Sequence, residues 1–185
     1  MELRRRAVHR LSSARWRFGE RRGFTLIEVM IVVALIGLMA GVLYPTLQLQ
    51  MARVRTMTSA KQISAVFQRA RLEAIRRNVG GTVSLGNREV VANVDGIQFS
   101  GRLSAGVEFG APAGESIVDG FGVSDQARFT AAGGVEESGA FRIVGPRDNF
   151  VEIRIDPPAT GRVVIRKWDG TVFKERREGG VAWTW

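Results

Sequence analysis

Few side chains in this sequence could do acid–base, nucleophilic or metal chemistry. The single histidine, His9, lies among arginines near the N-terminus, so beyond that segment there is no imidazole to act as a general base. The chain has no cysteine, which removes thiol catalysis, thiolate metal sites and disulfides. Glu136 and Glu137 are adjacent and on a strand would point to opposite faces, which suits a solvated turn better than an acid/base pair. No dense acidic loop suggests calcium. The inventory calls for no cofactor and no metal, and favours a structural subunit over an enzyme. One carboxylate stands apart. Glu28 is the single charge in FTLIEVMIVVALIGLMAGVLY, residues 24–44. An acid inside an apolar membrane helix costs about 2.5–3.5 kcal/mol on insertion scales and normally faces a partner; the alternative is an acid that snorkels to the membrane edge.

The element that carries Glu28 is an apolar run of 21 residues. As a helix it would be about 31 Å long, which matches the hydrocarbon core of a bilayer. It is longer than the apolar core of a secretory signal, and it ends at Leu43-Tyr44-Pro45 with no small-x-small cleavage site. Charge is distributed unevenly around it. Residues 1–23 hold eight arginines against Glu2 and Glu20, and residues 45–79 hold seven basic side chains against Glu73. Residues 80–185 hold twelve basic and fourteen acidic side chains. The formal net charge of +9 therefore sits on the N-terminal segment and one helix, and is weak support for nucleic-acid binding. Arginines ahead of the apolar run place the N-terminus in the cytoplasm and the bulk of the chain outside it.

Past the apolar run, Pro45 predicts a kink, because it lacks an N–H and clashes with the preceding turn. From Thr46 to Asn78 the helical period resumes. Leu47, Met51 and Val54 share one stripe, which Ile63, Phe67, Ala70 and Ala74 continue, and Gly80-Gly81 is the expected stop. Beyond it the pattern changes to short runs of β-formers: 82–85, 89–94, 97–103, 127–130, 140–144, 151–155, 162–168 and 171–174. Turn signals such as Asp95-Gly96, Gly145-Pro146 and Asp169-Gly170 separate them, the last as a two-residue hairpin turn. Val151, Ile153 and Ile155 alternate with Glu152 and Arg154, as in a half-buried antiparallel strand. Residues 104–125, rich in Gly and Ala, are expected to be a long loop. The fold class is α+β: a long N-terminal helix, membrane-spanning in its first half and amphipathic in its second, packed on a small antiparallel β-sheet or sandwich domain. The expected divisions are 1–23, 24–44, 45–79 and 80–185.

At the first of these boundaries the chain reads Arg21-Arg22-Gly23-Phe24-Thr25-Leu26-Ile27-Glu28. This closely resembles the type IV prepilin signature, a Gly-Phe pair followed by Thr-Leu-Ile-Glu opening an apolar helix. The resemblance implies a cytoplasmic leader, residues 1–23, that an inner-membrane prepilin peptidase removes between Gly23 and Phe24. It also implies N-methylation of Phe24 and a role for Glu28 in assembly. Pro45 then falls where many pilins have a proline. The chemistry is consistent with this. Small Gly23 leaves the backbone open to a protease, and cleavage creates a positive amine that can pair with the Glu28 carboxylate of a neighbouring subunit. Gly37 and Gly41 fit either a GxxxG helix seam or the ordinary abundance of glycine in membrane helices.

A second resemblance lies in Phe129-Thr130-Ala131-Ala132-Gly133-Gly134, Gly139-Ala140-Phe141-Arg142-Ile143, Val151–Ile155 and Gly161-Arg162-Val163-Val164-Ile165. Their order is similar to the β-domain of the GspH/FimT family of minor pilins and pseudopilins. That implies a periplasmic domain on a single-pass inner-membrane anchor. The implied partners are other pilins or pseudopilins in a filament, the prepilin peptidase and an inner-membrane assembly platform. The implied role is that of a minor pseudopilin in type II secretion, exporting proteins across the outer membrane. The alternative is a FimT-like minor type IV pilin serving pilus assembly, motility or DNA uptake. Arg162, Lys167, Lys174, Arg176 and Arg177, near Trp168, Trp183 and Trp185, are the candidate nucleic-acid contacts. Asp169, Glu175 and Glu178 interleave with them, and Val164 stands where DNA-uptake members have a second Arg, so a solvated surface is the favoured reading.

Overall fold

The computed structural model describes residues 23–175. The chain divides into two compact units, Met1–Leu43 and Tyr44–Trp185. Helix α1, Leu26–Arg77, begins in the first and ends in the second, and Pro45 lies within it and does not terminate it. In the first unit the helix is apolar on every side, and Leu26, Ile31, Leu35, Ile36 and Leu38 are all exposed. It is long and apolar enough to cross a membrane. A helix of this kind is stable only where lipid or neighbouring helices cover it.

The second unit packs the rest of α1 on two antiparallel sheets. The first sheet has the order β3-β2-β1-β6 and contains β1 (Gly81–Leu85), β2 (Glu89–Val94), β3 (Ile97–Arg102) and β6 (Ala127–Phe129). The second runs β10-β9-β8-β7-β4, with β5 also on β7. Its strands are β4 (Glu108–Phe109), β5 (Val118–Gly120), β7 (Gly139–Gly145), β8 (Asn149–Ile155), β9 (Val163–Trp168) and β10 (Phe173–Glu175). The β2–β3 hairpin turns on Asp95 and Gly96, with φ of 51° and 78°, the left-handed pair that matches strand twist.

Phe67 of α1 sits at the centre of the core. Its ring lies 5.3 Å from Phe141 on β7, 6.3 Å from Phe121 and 6.4 Å from Phe129 on β6, so one side chain contacts both sheets. Ile63, Ala70 and Ala74 are fully buried with it, as the stripe predicts. Glycine makes the close approach possible at Gly101, where a Cβ would meet Val66 Cγ2 at 2.7 Å.

Several expectations change. Leu47, Met51 and Val54 are 61%, 57% and 63% exposed, so the stripe is covered only from Thr56 onward. There the cover includes two polar side chains, Thr56, bonded to the Ala52 carbonyl, and Ser59, which accepts the Ser104 N–H at 2.9 Å. The helix stops at Asn78 and not at the glycines. Asn78 has φ 53°, its N–H bonds the Ile75 carbonyl, and the Val79 N–H reaches back to Ala74. This is a Schellman cap with Asn in the left-handed position. Gly81 is already in β1, where a Cβ would meet Val94 Cγ2 at 2.6 Å.

Residues 104–125 are not a plain loop, since they supply β4, β5 and a 3₁₀ turn at Gly122–Ser124. Nor is the β9–β10 turn two residues long. Trp168 pairs with Phe173, and the Asp169 carboxylate caps the Thr171 and Val172 N–H groups at 2.9 Å. Lys174 and then these N–H groups hold Asp169 well below the usual carboxylate range. With a depressed folded-state pKa, the cap is present at neutral pH and is lost only as the pH falls through that lowered value.

Candidate processing and assembly site

Gly23–Thr25 precede the helix, and Thr25 is its N-cap. The Thr25 hydroxyl accepts the Glu28 N–H and its carbonyl accepts the Val29 N–H, both at 3.3 Å. Thr25 and Glu28 thus occupy the Ncap and N3 positions, with the Thr25 hydroxyl supplying the cap. The acid in the first turn also faces the positive end of the helix. Among the described residues the Glu28 carboxylate has no ion-pair partner. Phe24 is exposed. A Cβ at Gly23, Gly37 or Gly41 would meet nothing within 4 Å, so packing inside the single chain does not require glycine at any of the three.

Among the described residues, Arg162, Lys167 and Lys174 are not assembled into one patch. Arg162 is paired with Glu175 and Lys174 with Asp169, at 2.8 and 2.5 Å. Lys167 lines a groove with Arg53. Arg176, Arg177, Trp183 and Trp185 lie outside the described residues.

A polar cluster that alternation alone does not reveal occupies the other face of the second sheet. Arg142 and Glu152 are registered partners on β7 and β8, and Glu152 is 1% exposed, not facing solvent. Arg142 Nε bonds Glu152 at 2.9 Å, and its other nitrogens reach Glu115, Asp119 and the Ser116 carbonyl. Arg154 bridges Glu152 and Asp119. Residues 115–119 and the Phe173 ring, 4.9 Å from the Arg142 guanidinium, shield the cluster. It braces the sheet and brings no reactive group to a cleft.

Residues 20–44 match the prokaryotic N-terminal methylation motif. That stretch resembles the start of type IV pilin-like proteins. The chain is 40% identical over 58 residues to the pilin-like protein PilA1 of Thermus thermophilus, covering 31% of this chain and 36% of that protein. The chain thus spans about a third of the length of that relative. The crystal structure of the type IV minor pilin FimU of Pseudomonas aeruginosa aligns over 66% of this chain and 94% of its own, at 18% identity and a TM-score of 0.44. The structure itself is one long N-terminal helix followed by two antiparallel sheets.

Proposed function

We propose that the pilin-like chain is the precursor of a membrane-anchored filament subunit and serves as a minor pseudopilin in type II secretion. The observation that carries the anchored-subunit reading is the junction at Gly23. A leader-type cleavage sequence runs directly into a capped helix whose apolar surface nothing in the described chain covers. The peptidase cuts after Gly23, Phe24 is methylated, and residues 24–44 hold the subunit in the inner membrane with residues 80–185 in the periplasm. Extraction by an assembly platform then moves the helix from lipid into a bundle of like helices, and the growing filament pushes exoproteins outward.

The second reading is a FimT-like minor pilin of a type IV pilus, favoured by the likeness to a pilin-like protein. Its DNA-uptake version is disfavoured by Val164 and by the pairing of Arg162 with Glu175. Deleting the chain from its host separates the two. Secretion predicts that exoproteins accumulate in the periplasm while surface pili persist. Loss of pili with normal secretion would move the chain to the pilus.

A further inference from the structure

Close to the start of the second unit, α1, the β7–β8 hairpin and the end of β9 enclose a groove of about 780 Å³. Arg53 and Arg55 line it from the helix, Arg147 and Asn149 from the hairpin, and Lys167 from β9, with Asp148 the only acid in its wall among the described residues. Several arginines elsewhere have local acids, Arg76 and Arg77 with Glu73, Arg88 with Glu108 and Arg128 with Glu136, while Arg71 bonds the Gly133 carbonyl and Arg69 lies over the Phe99 ring. Among the described residues Arg53, Arg55 and Arg147 have no ion-pair partner. Burial and then the charge of Arg53 push the Lys167 amine down, so the cations crowd one another. The Asn149 side-chain nitrogen is buried without a hydrogen-bond acceptor. A buried donor lacking an acceptor, among several cations, is a site shaped for a multivalent oxyanion.

We propose that this groove binds the phosphate headgroup of an anionic phospholipid at the membrane surface. Two features select a lipid over a nucleic-acid strand. Tyr44 lines the groove and is also the last residue of the apolar run, while Trp168 lines it from β9. Amphipathic aromatics of this kind settle at headgroup depth. Leu49 and Met51 add an apolar wall beside the cations, which suits the glycerol and upper acyl chain and has no use for a sugar–phosphate backbone. The lipid would hold the head domain at the membrane until extraction. The inference rests on reading residues 24–44 as an anchor.

The test is native mass spectrometry of the full chain, released from nanodiscs containing equal phosphatidylglycerol and phosphatidylcholine, with alkaline extraction of the source membranes alongside. Preferential retention of phosphatidylglycerol is expected. Arg53→Gln and Arg147→Gln should each weaken it roughly fivefold, as one cation near a lipid surface does. Neither side chain is part of the buried core, and Arg162→Gln, outside the groove, should leave retention unchanged. Equal retention of the two lipids, insensitivity to both variants, or displacement by inorganic phosphate or a short oligonucleotide would overturn the site. A chain that washes out of the membrane overturns the anchor and the site together; one that stays in without lipid preference overturns the site alone.

Discussion

Arg142→Ala is expected to lower the unfolding free energy of a fragment beginning at Arg53 by about 3–5 kcal/mol. That fragment keeps every residue from which the sheets cover the helix, since burial starts at Thr56, and it drops the apolar run that would aggregate. The Arg142 side chain is 5% exposed and donates to Glu152, Asp119 and two groups in residues 115–116. Truncation leaves Glu152 buried with fewer cations, opens a gap beneath Phe173 and frees the segment that carries β5. Urea melts followed by circular dichroism measure the loss. The Arg142→Ala/Glu152→Ala double variant should cost less than the two single changes added together, because they remove one interaction. Additive effects, or a single-variant loss under about 1 kcal/mol, would mean that this face behaves as an ordinary solvated surface.

The same cluster shows what the sequence could and could not reveal. Alternation in 151–155 correctly assigns Ile153 and Ile155 to the core face. It says nothing about whether the opposite face is covered, and that depends on residues 115–119, far away in the chain. Strands β4 and β5 were missed for a related reason. At two and three residues they carry no periodicity, and only their long-range pairing with β7 makes them strands. Phe67 and Ile63 were legible because they repeat at helical spacing beside small residues. Leu47, Met51 and Val54 repeat at similar spacing, yet the register at which the sheets first reach a 52-residue helix is a tertiary property. Asp95-Gly96 and Asp169-Gly170 are the same dipeptide and make different turns, because in the second the Asp side chain caps two further N–H groups. The motif at Gly23–Phe24 is read as a linear sequence and its proposed role does not wait on folding; the methylation-motif match over residues 20–44 spans it.

Glu28→Ala is expected to be cut and inserted normally yet to abolish most crosslinking to neighbouring subunits. Losing the carboxylate makes residues 24–44 more apolar, which favours insertion. The capping geometry at Thr25 survives in part, because the Thr25 hydroxyl accepts a backbone N–H, which alanine retains. What is lost is the counter-charge for the Phe24 amine of an adjacent subunit, which is then buried unpaired at a cost of several kcal/mol. Glu28→Gln should fail in the same way, since it keeps the shape and removes the charge. Processing by gel shift and contacts by crosslinking, in cells lacking the wild-type copy, separate the two steps. Normal crosslinking of both variants would refute the amine–carboxylate pairing.

The central claim is that Gly23–Phe24 is a processing junction and that the helix after it is retained as an anchor. Intact-mass measurement of the membrane-extracted chain, from cells with and without the prepilin peptidase, tests it most directly. The account predicts a chain beginning at Phe24 with one added methyl group when the peptidase is present. It predicts the full-length precursor when the peptidase is absent or when Gly23 is changed to Val. A mature N-terminus beyond Tyr44, or the same unprocessed mass under both conditions, would contradict it.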